Sequence, residues 1–185
     1  MVFARNLDTP EGPVALTDGS WLVVEGGQET GRVTQISPDG LNKRMVARTG
    51  GPNGLVVDRA GFIWVADCKI PSLLRVTLDG RMETIATACG NEAFLFPNDL
   101  CFGPDGALYL TDSGFLMDDF APGGQIREDY MNVEMDGRLY RMDRPSELPA
   151  APHERRAERP AALGPQPRRR PELPRRAVLL QHRAR

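Results

Sequence analysis

Short apolar runs separated by polar turn residues make up the first 143 residues of the chain. Asp-Gly pairs, as at 18–19 and 79–80, stand between runs in which apolar and polar residues alternate, a pattern typical of antiparallel hairpins. No stretch shows the 3.6-residue period of an amphipathic helix. The pattern therefore predicts an all-β protein with strands near 12–17, 20–25, 32–36, 43–47, 54–58, 62–67, 73–78, 82–87, 99–103, 107–112 and 137–143. A further short strand is expected at 1–7.

One stretch of the chain comes back at regular intervals. Thr9-Pro10-Glu11-Gly12-Pro13 is followed by Pro52-Asn53-Gly54 and then by Pro97-Asn98-Asp99, each leading into two apolar runs. The polar residue after the proline advances by 42 and then 45 positions. A period of this size, with four strands in each unit, indicates β-propeller blades. We expect a partial propeller over residues 1–143, with blades at about 8–48, 49–90 and 91–143.

The third unit carries a long insertion at 114–137, between its second and third strands. Long loops in compact domains are usually functional or disordered. On a propeller, a loop after the second strand overhangs one mouth of the central channel. We therefore weigh a lid against a plain surface excursion, with a slight preference for the lid.

Composition changes abruptly after Asp143. Residues 144–185 carry eleven arginines and no lysine against four glutamates, with eight prolines and no Asp, Ile, Phe, Tyr or Trp. Such a segment cannot bury enough apolar surface to offset its ordering entropy, so it is predicted to be disordered. Three explanations of this basic segment are open: out-of-frame translation, a solvated extension without function, and a nucleic-acid arm. Out-of-frame translation is preferred. Nucleic acid is disfavoured because no aromatic residue is interleaved with the arginines.

Other residues narrow the function classes. The three cysteines, Cys68, Cys89 and Cys101, have no metal-ligand spacing and are expected to be buried thiols of a cytoplasmic protein. Neither histidine lies within residues 1–143, so this region cannot form a His-dependent catalytic triad or a His-ligated zinc site. No signal peptide or membrane span is expected, since no apolar run approaches ~20 residues.

Candidate chemistry lies at the heads of the repeats. Equivalent positions in radial blades form a ring around the axis, so Glu11, Asn53 and Asn98 are expected at one mouth of the channel. One carboxylate with carboxamide oxygens suits Ca²⁺, Mg²⁺ or Mn²⁺, and Zn²⁺ less well. The alternative is that a Glu or Asn after proline caps a strand or satisfies a turn.

These motifs, together with Gly-Arg-Leu-Tyr-Arg-Met-Asp at 137–143, resemble the regucalcin/gluconolactonase (senescence marker protein) family over about residues 1–143. The resemblance implies a six-bladed propeller that hydrolyses sugar or other small lactones with one divalent cation, Ca²⁺ foremost, on its axis. It implies metal binding by Glu11 and Asn98, and a place for Asn98 and, more weakly, Asn53 in the substrate pocket.

The chain departs from that family pattern in one important way. It supplies about three blades, and the family's remaining ligands, a further Asn and an Asp that activates the water, belong to later blades. Asp99, Asp112 and Asp118 are considered as substitute bases, but turn or solvated-loop roles are favoured. We therefore assign no catalytic residue and expect a truncated lactonase-type hydrolase with weak or no activity. The alternative is a non-catalytic propeller segment that binds a small ligand or a protein.

Overall fold

Three four-stranded antiparallel sheets follow one another along the chain. The computed structural model describes residues 1–27, 29–143, 145 and 148, and the backbone of Leu179–Gln181. The first blade consists of β1 (Pro10–Ala15), β2 (Trp21–Glu25), β3 (Arg32–Ile36) and β4 (Lys43–Arg48). The second consists of β5 (Pro52–Val57), β6 (Ile63–Asp67), β7 (Ser72–Val76) and β8 (Met82–Ala86). Strand order equals chain order in both, as expected for a meander.

The third blade is interrupted. A two-stranded hairpin of β9 (Ala88–Cys89) and β10 (Glu92–Ala93) precedes it. Its strands are β11 (Pro97–Phe102), β12 (Leu108–Asp112), β13 (Arg138–Met142) and β14 (Leu179–Gln181), paired in that order. The predicted all-β class with propeller blades is confirmed, because little helix occurs in the described residues.

Asp-Gly turns set the hairpins as the sequence predicts. At the first of them, the Gly19 N–H donates to the Leu16 carbonyl at 3.0 Å, and Leu16 N–H donates to Ser20 at 2.8 Å. The glycine alone takes the left-handed conformation, with φ of 84° at Gly19 and 90° at Gly80. A side chain would be strained there, which explains why glycine ends these turns.

Two hydrophobic cores hold the blades together. Leu22, Val24 and Val33 of the first blade pack against Leu55, Val65 and Val76 of the second. Trp64, Ala66 and Leu73, on the opposite face of the second blade, pack against Leu108, Leu110 and Tyr140 of the third. Alternation along each strand thus sends successive side chains to opposite neighbours, and the second blade is buried on both faces.

The insertion between β12 and β13 contains three short helices, α1 (Met117–Phe120), a 3₁₀ turn at Pro122–Gly124 and another at Tyr130–Asn132. A row of aromatic rings ties it to the blade. Phe115 stacks on Phe96 with ring centroids 4.7 Å apart, Phe120 lies 5.0 Å from Phe115, and Tyr130 lies 5.8 Å from Phe120. The insertion is therefore anchored at the head of the third inner strand.

Two expectations about the chain ends need comment. The strand predicted at 1–7 is wrong, since these residues form no strand. They lie over the first blade instead, where Lys43 Nζ donates to the carbonyls of Arg5 and Asn6 at 2.7 and 2.9 Å and Phe3 meets Trp21 edge-on. Within the segment predicted to be disordered, Leu179–Gln181 pairs with β13 as a strand, and most of the remainder lies outside the described residues.

Candidate functional site

The repeated polar residues all occur at the same irregularity of the sheet. The pairing of β1 with β2 shifts by one residue between Glu11 and Val14, that of β5 with β6 between Pro52 and Gly54, and that of β11 with β12 between Pro97 and Leu100. Each inner strand thus begins with a β-bulge. Bulges re-aim a side chain and are common beside active sites.

Neighbouring inner strands approach closely at these bulges, and glycine makes the approach possible. A Cβ on Gly12, whose φ is 55°, would lie 3.2 Å from the Leu55 nitrogen. A Cβ on Gly54 would lie 2.8 Å from the Asn98 carbonyl oxygen. The heads of the three blades therefore follow one another in an arc, which places Glu11, Asn53 and Asn98 at the same end of adjacent strands.

The oxygen atoms of this arc are largely uncommitted. Within the described residues, neither the Glu11 carboxylate nor the Asn53 amide makes a hydrogen bond or ion pair. Asn98 donates from Nδ2 to Ser113 Oγ at 3.1 Å, which leaves its Oδ1 available as an acceptor. One carboxylate and two carboxamides are hard oxygen donors, so this donor set fits an alkaline-earth cation. No cluster of three or more His, Cys, Asp or Glu side chains occurs in the described part of the chain.

A second repeated position was missed in the sequence. The last residue of the second strand in every blade is an acid, and Glu25, Asp67 and Asp112 are all buried. Each carboxylate receives a backbone N–H from the segment that leads into its inner strand, at 2.8 Å from Asp8, 3.0 Å from Gly51 and 2.9 Å from both Leu95 and Phe96. The signal was present, as an acid ending each of the runs Trp21–Glu25, Ile63–Asp67 and Leu108–Asp112.

These acids bind the backbone segments that lead to Glu11, Asn53 and Asn98, and they do not belong to the arc of oxygen atoms. In the first blade, Glu25 also accepts hydrogen bonds from Arg32 Nε at 2.9 Å and from the Thr34 hydroxyl. Burial raises the pKa of Glu25, but the hydrogen bonds from Arg32, Thr34 and Asp8 outweigh burial and leave that pKa lowered. Such carboxylates fix the loop that precedes each bulge.

The three candidate substitute bases have different surroundings. Asp112 is buried, so it is not a solvated-loop aspartate. Its carboxylate accepts the Gly114 N–H two residues on, as a turn aspartate does, and also the N–H groups of Leu95 and Phe96. Asp99 is exposed, and its Oδ1 accepts the Leu100 N–H at 2.8 Å. Asp118 is exposed on the insertion. None is placed as a base by its hydrogen bonds.

A cleft of about 700 Å³ opens where the insertion faces the first two blades. The insertion lines it with Met117, Asp118 and Phe120, and the strand-end loops line it with glycines at 26, 50 and 51, with Glu29 and with Lys69. The insertion and these loops thus line one cleft at the end of the blades where the inner strands begin, and a lid role for the insertion stays a prediction. The volume lies in the range of small-molecule sites.

Cys68 joins the cleft to the arc of polar heads. It lines the cleft, and its thiol donates to the Gly51 carbonyl at 3.2 Å. Burial, and then the negative charges of Asp67 and Glu11, raise the pKa of Cys68 to about 11. The charge of Glu11 is the smallest of these influences on the Cys68 thiol. None of Glu11, Asn53 and Asn98 is among the residues that line the cleft.

Comparisons with known proteins agree with this geometry. No protein-family model matches the chain. A gluconolactonase from Zymomonas mobilis is 27% identical over 173 residues, covering 83% of this chain and 49% of that protein. The chain thus spans about half of the length of this curated relative.

Two solved structures share the fold. A protein assigned to the gluconolactonases matches with a TM-score of 0.58 at 21% identity, over 76% of this chain and 47% of that one. A gluconolactonase from Xanthomonas campestris matches with a TM-score of 0.57 at 20% identity, over 75% and 45%. At this identity the two structures establish the fold alone, which is that of about half a β-propeller. In sequence and in fold, the chain is therefore gluconolactonase-like over roughly half of its relatives' length.

Proposed function

We propose that this chain carries the first part of a lactonase-type site, in which Glu11, Asn53 and Asn98 offer oxygen ligands to a divalent cation, Ca²⁺ foremost. The observation that carries the proposal is the arc itself. Three adjacent inner strands each begin with a bulge at one of these residues, and their acceptor oxygens are uncommitted among the described residues. A bound cation would polarise a lactone carbonyl and lower the pKa of a water molecule.

The cleft beneath the insertion is the proposed place for the rest of the substrate. It offers apolar surface from Phe120 and Met117 and charged groups from Lys69 and Asp118. This mixture suits a small polyhydroxylated ring better than a long apolar ligand. The names of the relatives make glucono-lactone the first substrate to try.

Calcium titration of the purified full chain tests this proposal. We expect calorimetry to show calcium binding in the wild type and at least tenfold weaker binding in Glu11→Gln. The substitution removes the negative charge and replaces one of the two carboxylate oxygens by an NH₂ group, while the shape of the side chain is kept. Glu29→Gln, which changes a carboxylate that lines the cleft away from the inner strands, is the matched control and should bind as the wild type. Equal calcium binding by Glu11→Gln would refute the metal assignment.

The rate at which the Cys68 thiol is alkylated gives an independent test for a cation at Glu11. A cation at Glu11 would cancel one of the charges that raise the pKa of Cys68, so calcium should speed alkylation of this thiol in the wild type but not in Glu11→Gln. The lactone assay is a separate question. Calcium binding without hydrolysis of glucono-lactone would favour the second candidate.

That second candidate is a propeller segment that binds a small ligand without turnover. The observation in its favour is that the Asp112 carboxylate is committed to backbone N–H groups and that Asp99 Oδ1 accepts the Leu100 N–H. Asp118 makes no side-chain hydrogen bond to a described residue. General-base chemistry needs a carboxylate within hydrogen-bond reach of the attacking water. The two candidates predict the same metal binding and differ only in turnover.

A further inference from the structure

The backbone that leads into the first inner strand takes an unfavourable conformation just before Glu11. Thr9 has a φ of 49°, in the left-handed region, and among the described residues other than glycine only Asn6 also has a positive φ. Threonine is branched at Cβ and poorly suited to this region, and the following Pro10 restricts it further. Such a conformation persists only where surrounding contacts hold it, and conformations of this kind cluster at functional sites.

The Asp8 side chain supplies contacts that hold this turn. Its carboxylate accepts the Thr9 hydroxyl at 3.1 Å and the Thr30 hydroxyl at 2.9 Å. The carboxylate also lies so close to Gly27 that there is no room for a Cβ at that position. In addition, the Thr9 carbonyl accepts the Gly26 N–H at 3.2 Å. The turn is therefore fastened to the loop between β2 and β3.

The same loop forms part of the cleft wall. Gly26 and Glu29 line the cleft on the side of the first blade. Glu11 follows Asp8 by three positions in the chain. The contacts of Asp8 thus connect the wall of the cleft with the start of the strand that carries the proposed cation ligand.

The other two blades have no carboxylate at this position. The residues that stand two positions before the proline of their inner strands are Gly50 and Leu95, whose side chains cannot accept a hydrogen bond. The buried acid that binds the entering backbone is present in all three blades, so it meets the common requirement of the fold. Asp8 is an addition in the blade whose inner strand begins with the charged Glu11.

We propose that Asp8 is a positioning residue, which holds the strained turn at Thr9 and thereby sets the direction of the Glu11 carboxylate. The inference rests on the proposed function, because Glu11 is the cation ligand of that site. Both Asp8 oxygens are engaged by hydroxyl groups, so Asp8 acts through the backbone and not as a ligand. A change of φ at Thr9 rotates the chain that follows, and it would turn Glu11 away from Asn53 and Asn98.

Thr30→Val tests this role without changing a charge near the cation. The variant removes the hydroxyl that Asp8 accepts and keeps the size and branching of the side chain. We expect calorimetry to show calcium binding about two- to tenfold weaker than in the wild type, the range that the loss of one hydrogen bond spans. Thr30→Ser keeps the hydroxyl and should bind calcium as the wild type does.

The chain offers a matched control in the second blade. The Thr77 hydroxyl donates to Asp79 in the turn between β7 and β8, away from the heads of the inner strands. Thr77→Val therefore removes a hydroxyl–carboxylate hydrogen bond of the same kind. It should bind calcium as tightly as the wild type, because it leaves the turn at Thr9 intact.

A double variant connects the effect with the strain at Thr9. Glycine adopts a positive φ without strain, so in Thr9→Gly the turn depends less on the Asp8 contacts. Thr30→Val should therefore weaken calcium binding less in the Thr9→Gly background than in the wild type. A general loss of stability would act equally in both backgrounds, and equal losses would overturn the role given to the turn.

The outcomes separate this inference from the proposed function. Weaker calcium binding by Thr30→Val, with full binding by Thr30→Ser and Thr77→Val, supports the positioning role. Wild-type binding by Thr30→Val together with weak binding by Glu11→Gln would overturn the positioning role and leave the cation ligand in place. Absence of calcium binding by the wild type would overturn both.

Discussion

At the scale of single residues, one buried acid in each blade fixes the backbone that enters the inner strand. Glu25, Asp67 and Asp112 end the second strand of their blades and bind the backbone that enters the inner strand. Leaving a buried hydrogen-bond donor or acceptor without its partner lowers the free energy of unfolding by about 1–3 kcal/mol. The polar heads of the arc are therefore positioned by carboxylates that lie outside the cleft.

Acid sensitivity should originate in part from Glu25. Its pKa is lowered in the folded protein, so its contribution to stability is complete above its ordinary pKa of 4.5 and is lost as the pH falls through the lower folded value. Glu25→Gln should lose about 1–3 kcal/mol at neutral pH and show a shallower decline of stability in acid than the wild type. Urea unfolding over this pH range measures both effects. Glu128→Gln, on the exposed insertion, should keep the wild-type slope, and an unchanged slope in Glu25→Gln would contradict the assignment.

At the scale of elements, the insertion is attached to the blades by its aromatic row more than by hydrogen bonds to strands. Phe115 is the central ring of this row, between Phe96 and Phe120. Aromatic pairs contribute about 0.5–1.5 kcal/mol each beyond their buried area. The backbone of the insertion closes at its base, where Asp136 N–H donates to the Gly114 carbonyl at 3.0 Å.

Removing the central ring should loosen the insertion without unfolding the blades. Phe115→Ala loses two aromatic contacts, so we expect its insertion to open at a free energy about 1–3 kcal/mol lower than in the wild type. Limited proteolysis between residues 114 and 137 should become faster, while the strands keep their hydrogen-exchange protection. Met131→Ala changes an exposed side chain of the same insertion and serves as the control. Equal proteolysis rates in Phe115→Ala and the wild type would show that the row does not anchor the insertion.

At the scale of the whole molecule, stability depends on contacts between neighbouring blades. The two cores have no described residue in common, since one lies between the first and second blades and the other between the second and third. Repeat proteins of this kind gain stability from each unit and from each interface between neighbours.

No described helix is long and apolar enough to cross a membrane.

Cavities placed in the two cores should therefore have separable effects. Leu110→Ala and Leu22→Ala each remove a buried side chain and should cost about 2–5 kcal/mol. Hydrogen exchange should show the larger loss of protection in β11–β13 for Leu110→Ala and in β1–β4 for Leu22→Ala. Each variant is the control for the other. Identical protection losses throughout both variants would mean that the three blades unfold as one unit.

Much of this architecture follows from the sequence by itself. The alternating runs, the Asp-Gly turns and the period of 42 and 45 residues determined the strands, the meander and the propeller class. Strand alternation and the left-handed glycines are local properties, so local patterns suffice to predict them. The polar residues after each proline were identified for the same reason, because the repeat marks them.

Only the tertiary structure decided the remaining points. The strand expected at 1–7 did not form, and these residues instead contact the side chains of Trp21 and Lys43 on the first blade. Besides the nearby Gly114 N–H, Asp112 binds the N–H groups of Leu95 and Phe96, sixteen or more residues away. The acid itself recurs in the sequence at the end of each second strand, but nothing in that pattern marks the distant N–H groups that it binds. The fourth strand of the third blade comes from Leu179–Gln181, far along the chain. The same holds for the bulges that bring Glu11, Asn53 and Asn98 into one arc, since register belongs to pairs of strands and not to either strand alone.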